Sequence, residues 1–303
     1  MSRVKRQHFV PQFYLQNFAI EGTKRVHVFD KSLRKSFPSA IKDVASRHAY
    51  YDLEALDEAA GVYQALENYL ADYEGVAATA VRKILEDLGS KEFQGIDRDA
   101  RIDLALRKEL FVSHLESKHP EFAEDARAGL ELTLTPEARR ALHARLIFDL
   151  ELRESIADSL LTRYWVILEN PTAIPFYTSD HPVVHKGYAE HRWRSMQGLC
   201  CPGVEIAFPL SSRYLLTILD PEHFPGAGQF HMGRLTARQE HVEHYNSLQV
   251  LFAHQQLYAC VAEFDLVREM VEEDQETGDP ARRRVEIQRG DEIFANGDPG
   301  LTT

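Results

Sequence analysis

Tyr164-Trp165-Val166-Ile167-Leu168, followed after Asn170-Pro171 by Ile174-Pro175-Phe176-Tyr177-Thr178, is where the chain changes its period. Both runs are rich in β-branched and aromatic residues, and the Asn-Pro between them is a turn signal, so two strands are predicted here. Upstream, apolar residues recur at helical spacing. Leu66, Leu70, Tyr73, Ala77, Ala80, Ile84 and Leu88 form one stripe over 62–88, with Gly89 as a natural stop. A second helix is predicted over 98–119, from an Asp97 cap to Pro120, and a third from Thr135-Pro136 to about Thr162. Downstream, 204–210 and 214–219 read as strands after a long loop over 187–203 that carries Trp193. Helical spacing returns over 236–257, and 257–264 reads as a last strand. Near the N-terminus, residues 25–30 alternate as a strand and 31–38 read as a polar loop.

Strands at the start and in the second half, with helices between, make this an α+β protein. The expected architecture is a single domain over 1–303 with one mostly antiparallel sheet, assembled from residues 8–30 and 164–264. Residues 62–162 would be a helical insertion, 272–284 a mobile loop and 296–303 a frayed tail.

The 303 residues are 44% hydrophobic and 27% charged, ordinary for a globular chain. No apolar run is long enough to span a membrane, and no apolar signal core follows the N-terminal basic residues, so a cytoplasmic protein is expected. Cys200 and Cys201 are adjacent and Cys260 is distant, which offers neither a disulfide framework nor a paired zinc spacing. The net charge of −12 is unevenly spread: residues 1–50 carry +7 and the remainder −19. A basic segment on an acidic body either meets phosphate, as a nucleic-acid partner would supply, or docks on its own acidic helices.

The most distinctive stretch is Gln7-His8-Phe9-Val10-Pro11-Gln12-Phe13-Tyr14-Leu15-Gln16-Asn17-Phe18. With it go Phe29-Asp30-Lys31, a helix bearing Glu67 and Glu74, Phe176-Tyr177-Thr178-Ser179-Asp180-His181-Pro182, Phe208-Pro209-Leu210-Ser211 and Asn246. On these residues the chain resembles the family called domain of unknown function 4238, whose members usually carry Asn at the position of His181. The resemblance implies no activity by itself. Families of this kind often belong to bacterial defence repertoires, where nucleases are common.

Four residues carry candidate chemistry. Pro11 bars Val10 from helical geometry, so His8 is expected in an extended segment anchored by aromatics, as a proton-transfer group, a metal ligand or a core histidine. Glu67 and Glu74 are seven positions apart, so on a helix they project within about 20° of each other. At the margin of a buried stripe they need a partner, either an ordinary salt bridge or a divalent cation. Asp180 follows a strand end, where catalytic side chains often sit, although Ser179 and Asp180 are also common turn formers. The spacings His181-x-x-x-His185 and His241-x-x-His244 resemble ligand pairs only weakly. No phosphate-binding or dinucleotide-binding glycine motif occurs, so nothing supports ATP or NAD.

Two readings follow. In the first, the protein is a metal-dependent hydrolase acting on phosphodiesters, nuclease-like. His8 and Asp180 would be catalytic, His8, Glu67, Glu74 and Asp180 would hold Mg²⁺ or Mn²⁺, and Arg3, Lys5 and Arg6 would contact the phosphate backbone. In the second it is a non-catalytic binding or regulatory module, its opening motif a structural clasp and its carboxylates salt-bridged.

Overall fold

The computed structural model describes residues 6–48, 65–89, 150–188 and 198–279. The second predicted helix, most of the third, Arg3, Lys5, Trp193 and the 296–303 tail lie outside these residues.

The strands are β1 (Arg6–His8), β2 (Arg25–Asp30), β3 (Lys35–Ala40), β4 (Ser46–His48), β5 (Tyr164–Glu169), β6 (Thr178–Ser179), β7 (Val184–Gly187), β8 (Val204–Pro209), β9 (Tyr214–Leu219), β10 (Gly233–Thr236) and β11 (Gln256–Ala259). The helices are α1 (Gln12–Leu15), α2 (Ala65–Gly89), α3 (Leu150–Leu161), α4 (Gln239–Phe252) and α5 (Asp265–Glu273). The protein is α+β, with α2 and α3 between the N-terminal and C-terminal strands. All described pairings are antiparallel except the parallel pair β10–β5. No described helix is long and apolar enough to cross a membrane.

The expected single sheet is instead two. A four-stranded sheet runs β3-β2-β11-β6 and a five-stranded sheet runs β10-β5-β9-β8-β7, with β1–β4 as a separate ribbon. Helix α4 supplies the physical reason. Its Val242, Tyr245 and Leu248 pack with Val166, Leu168 and Ala207 of the five-stranded sheet. Val250 and the adjoining Ala253 pack instead with Phe29 and Leu257 of the other sheet, under Phe264, Val267 and Val271. A helix apolar on two sides needs a sheet for each.

The opening stretch fills a third core. Tyr14, Leu15 and Phe18 are buried with Val26 and Val28 of β2 and with Ile41, Val44 and Tyr258. The polar loop expected over 31–38 gives way to a strand, since Lys35–Ala40 pairs fully with β2. Pro38 is tolerated because β3 is an edge strand, and Lys and Pro blunt that edge against further pairing. Of the predicted strand at 174–178, only Thr178 pairs, together with Ser179, on β11. The amides of Phe176 and Tyr177 donate instead to Ser212 O and the Asn246 side chain. The predicted strand over 257–264 ends at Ala259, and α5 begins at Asp265. In place of a mobile loop from 272, residues 272–279 continue α5 into a 3₁₀ turn with Thr277 buried; the rest of that stretch lies outside the described residues.

Phe18 is fully buried at the centre of the opening core. Phe18→Ala is expected to cost roughly 3–5 kcal/mol through lost burial and the cavity left behind. Urea unfolding followed by circular dichroism gives the value.

Candidate functional site

Asp180 sits just past β6, facing the turn between α4 and β11. Its Oδ1 accepts the amide of His254 at 2.6 Å, and its Oδ2 accepts those of Gln255 at 2.7 Å and Gln256 at 2.9 Å. Asp180 is therefore no local turn former, because every one of these donors lies more than seventy residues along the chain. The local turn is closed by Ser179, whose Oγ accepts the His181 amide. On the same connection, buried Lys31 donates from Nζ to Val250 O at 2.9 Å and Ala253 O at 2.6 Å, capping the end of α4. One segment is thus held by a cation on its carbonyls and an anion on its amides.

The other residues of the resemblance join the same internal network. Tyr14 Oη donates to Pro209 O at 2.7 Å, so Thr178 Oγ1, 2.8 Å away, must donate to Tyr14. Ser179 Oγ donates to Gln249 Oε1, and Gln249 Nε2 donates to Pro182 O. Asn246 accepts the Tyr177 amide and donates to Pro175 O, which ties α4 to the segment before β6. Asp30 accepts from Ser32, Leu33, Gln255 and Gln256. Burial pushes its carboxyl up, but these bonds outweigh burial and hold it below the ordinary range.

His8 ends β1, half-buried. Its Nε2 lies 3.3 Å from Lys42 O, to which the ring can donate, and Gln12 Nε2 lies 3.5 Å from Nδ1. Glu74 is half-buried on α2, and Glu67 belongs to the same helix, its side chain lying outside what is described. Arg6 begins β1. Among the described residues no three His, Cys, Asp or Glu side chains converge to hold a metal ion, so His8, Glu74 and Asp180 are not brought to one point. Cys200, Cys201 and Cys260 are free thiols.

A separate polar centre lies where the sequence offers no candidate beyond the weak His241-x-x-His244 spacing. Glu205 is nearly buried on β8, facing α4. Its carboxylate accepts Tyr188 Oη at 2.8 Å, Tyr245 Oη at 2.5 Å and His244 Nε2 at 3.2 Å. Tyr188 also stacks on His223, and Phe224 meets it edge-on. A lone carboxylate inside the apolar run Val204-Glu205-Ile206-Ala207 is the available signal. The His241-x-x-His244 spacing, weak as a ligand pair, is its second half.

Two outcomes test these assignments. Asp180→Asn keeps one acceptor oxygen but turns an NH₂ group towards backbone donors, so it is expected to destabilise by ~1–3 kcal/mol, measured by urea unfolding. For Glu205, burial raises the carboxyl, but the bonds from His244, Tyr245 and Tyr188 outweigh it and set it below its ordinary 4.5. A carboxyl depressed by folding stabilises above its unfolded value and loses that contribution as pH falls through the folded one. Glu205→Gln should therefore cost ~2–3 kcal/mol at neutral pH, and the gap to wild type should close as the buffer is acidified below that ordinary value. Unfolding free energies across acid pH provide the check.

No curated relative and no solved structure matches the chain. The family model described as protein of unknown function (DUF4238) matches residues 6–263, covering the opening stretch and both sheets and reaching almost to α5, and the chain belongs to that family.

Proposed function

We propose that the protein is a non-catalytic binding module. Its opening motif is a structural clasp, and its N-terminal basic region takes up an anionic partner. One observation carries this reading. The polar side chains of Tyr14, Thr178, Ser179, Asp180 and Asn246, which give the family its motif, are engaged in hydrogen bonds within the fold. Three of the four lone-pair sites of Asp180 already accept backbone amides, which leaves a single site for a metal ion or substrate. A catalytic His8 would have to give up the Lys42 carbonyl or the Gln12 side chain.

The surface supports the anionic partner. Lys24, Arg25, Arg34, Lys35, Lys42 and Arg47 are exposed or nearly so, against only Glu21 and Asp43 among the exposed acids of residues 21–47. Lys24, Arg34, Lys35 and Lys42 enter no ion pair with a described residue. At physiological salt, charges further than ~8 Å apart are largely screened. A ligand on this region therefore feels its local excess of cations more than the net −12 of the chain.

The test combines binding and turnover on the full chain. Labelled DNA and RNA, single- and double-stranded, are incubated with excess protein and Mg²⁺ or Mn²⁺. Inorganic polyphosphate is titrated in parallel at rising salt. Intact strands together with salt-sensitive polyphosphate binding is the expected result. Metal-dependent cleavage that is lost in His8→Gln or Glu74→Gln would overturn the reading in favour of the hydrolase.

A further inference from the structure

The β2–β3 hairpin carries an exposed aromatic between its cations. In register, Lys35 faces Asp30, Phe37 faces Val28 and Ser39 faces Val26, so these three β3 residues share the side of the sheet that the opening core covers. Val28 and Val26 are buried there, yet Phe37 on the outer strand is 37% exposed and Leu33 at the hairpin tip 60%. Arg34 and Lys35 stand at one end of β3, and Lys42 follows its other end. Lys24 lies beside that same end, since Ile41 N donates to Lys24 O. At the extended rise of about 3.3 Å per residue, β3 separates the two cationic ends by roughly 17 Å.

The opposite face has the other sign. Helix α5 covers the Phe29 side of the sheet and exposes Asp265, Glu269, Glu272 and Glu273, with Arg268 among them. An anionic chain is therefore repelled from the α5 face, while Lys35 stands on the other by register.

We propose that this strip binds single-stranded nucleic acid, with a base stacked on Phe37 and flanking phosphates on Arg34 and Lys35 at one end and on Lys24 and Lys42 at the other. The inference rests on the anion-binding reading and gives it a partner. Spaced cations with an exposed aromatic between them suit a strand whose bases are free to stack, because every base has a π-face. A duplex keeps its bases paired and would use the cations alone. The Lys35 and Pro38 positions also discourage a peptide from adding to the β3 edge.

The experiment is a fluorescence-anisotropy titration of the full chain with a labelled DNA strand, alone and annealed to its complement, at several salt concentrations, with polyphosphate alongside. The single strand should bind more tightly than the duplex. Lys35→Glu with Lys42→Glu should weaken it by about tenfold or more, and should flatten the salt slope by ~0.7 for each phosphate no longer neutralised. Phe37→Ala should weaken it severalfold while leaving that slope unchanged. The milder Lys35→Gln with Lys42→Gln should fall between wild type and the double glutamate. The lysine side chains are exposed, so unchanged melting temperatures are expected for their variants, whereas Phe37→Ala is compared below its own lowered melting temperature. Equal affinity for strand and duplex, or indifference to all the substitutions, would overturn the inference. Polyphosphate binding without strand binding would also overturn it, while the anion-binding module survives. Strand binding followed by metal-dependent cleavage would support the strip but sink the non-catalytic reading.

Discussion

A buried hydroxyl has one proton to give and cannot be left unanswered, and in this fold that hydroxyl stands between the two sheets. Tyr14 donates to Pro209 O at the end of β8 and receives from Thr178 of β6. Burial pushes its phenol far above the ordinary range, so it stays neutral and both roles are permanent. The five-stranded and four-stranded sheets are joined at this atom by a residue from neither. Its ring completes the join by stacking on Phe208 at 5.2 Å and tilting against Phe18. The opening segment is therefore part of the core, and its aromatics are its means of attachment.

The same demand for partners explains the α4–β11 connection. A chain that turns from a helix into a central strand leaves carbonyls at the helix end and amides before the ladder begins, and buried groups of either kind must be paired. Lys31 answers the carbonyls and Asp180 the amides. Because the two charges come from different sheet segments, they also set where β2 and β6 lie against α4. Charged residues in such a place look catalytic in a sequence, since function and backbone satisfaction both call for a carboxylate at a strand end.

The elements are legible in the sequence wherever one periodicity dominates. β5, β8, β9, α4 and the described part of α2 fall where alternation or helical spacing places them. Pattern is less informative where tertiary context overrides it. β3 contains a proline and has the composition of a loop, because a sequence does not say which strand will be an edge. Residues 174–177 have strand composition, yet the amides of Phe176 and Tyr177 go to a loop carbonyl and a side chain, a choice available only once α4 is docked. Alternation also records burial without naming the partner, so it does not separate two sheets from one. At the candidate site, Asp180 stands out in the sequence but its role does not. Its donors lie at 254–256, where helical spacing is expected to run to 257 but the helix ends at Phe252, and the Glu205 centre is divided between a strand and a helix that give no hint of meeting.

What the internal network leaves over is the distribution of charge on the outside. Tyr14, Leu15, Phe18, Thr178 and Ser179 of the motif segments are buried, and the exposed charged side chains of 21–47 are mostly cations. Helix α5 buries Val267 and Val271 against Phe29 and keeps its acids on the solvent side. Lys24, Arg34, Lys35 and Lys42 enter no ion pair with a described residue. Maintaining like charges side by side costs stability through repulsion, and that cost is offset when an anionic ligand displaces the counterions. On the function proposed above, the acidic α5 face and the exposed cations of 24–42 would admit an anionic partner from one side only.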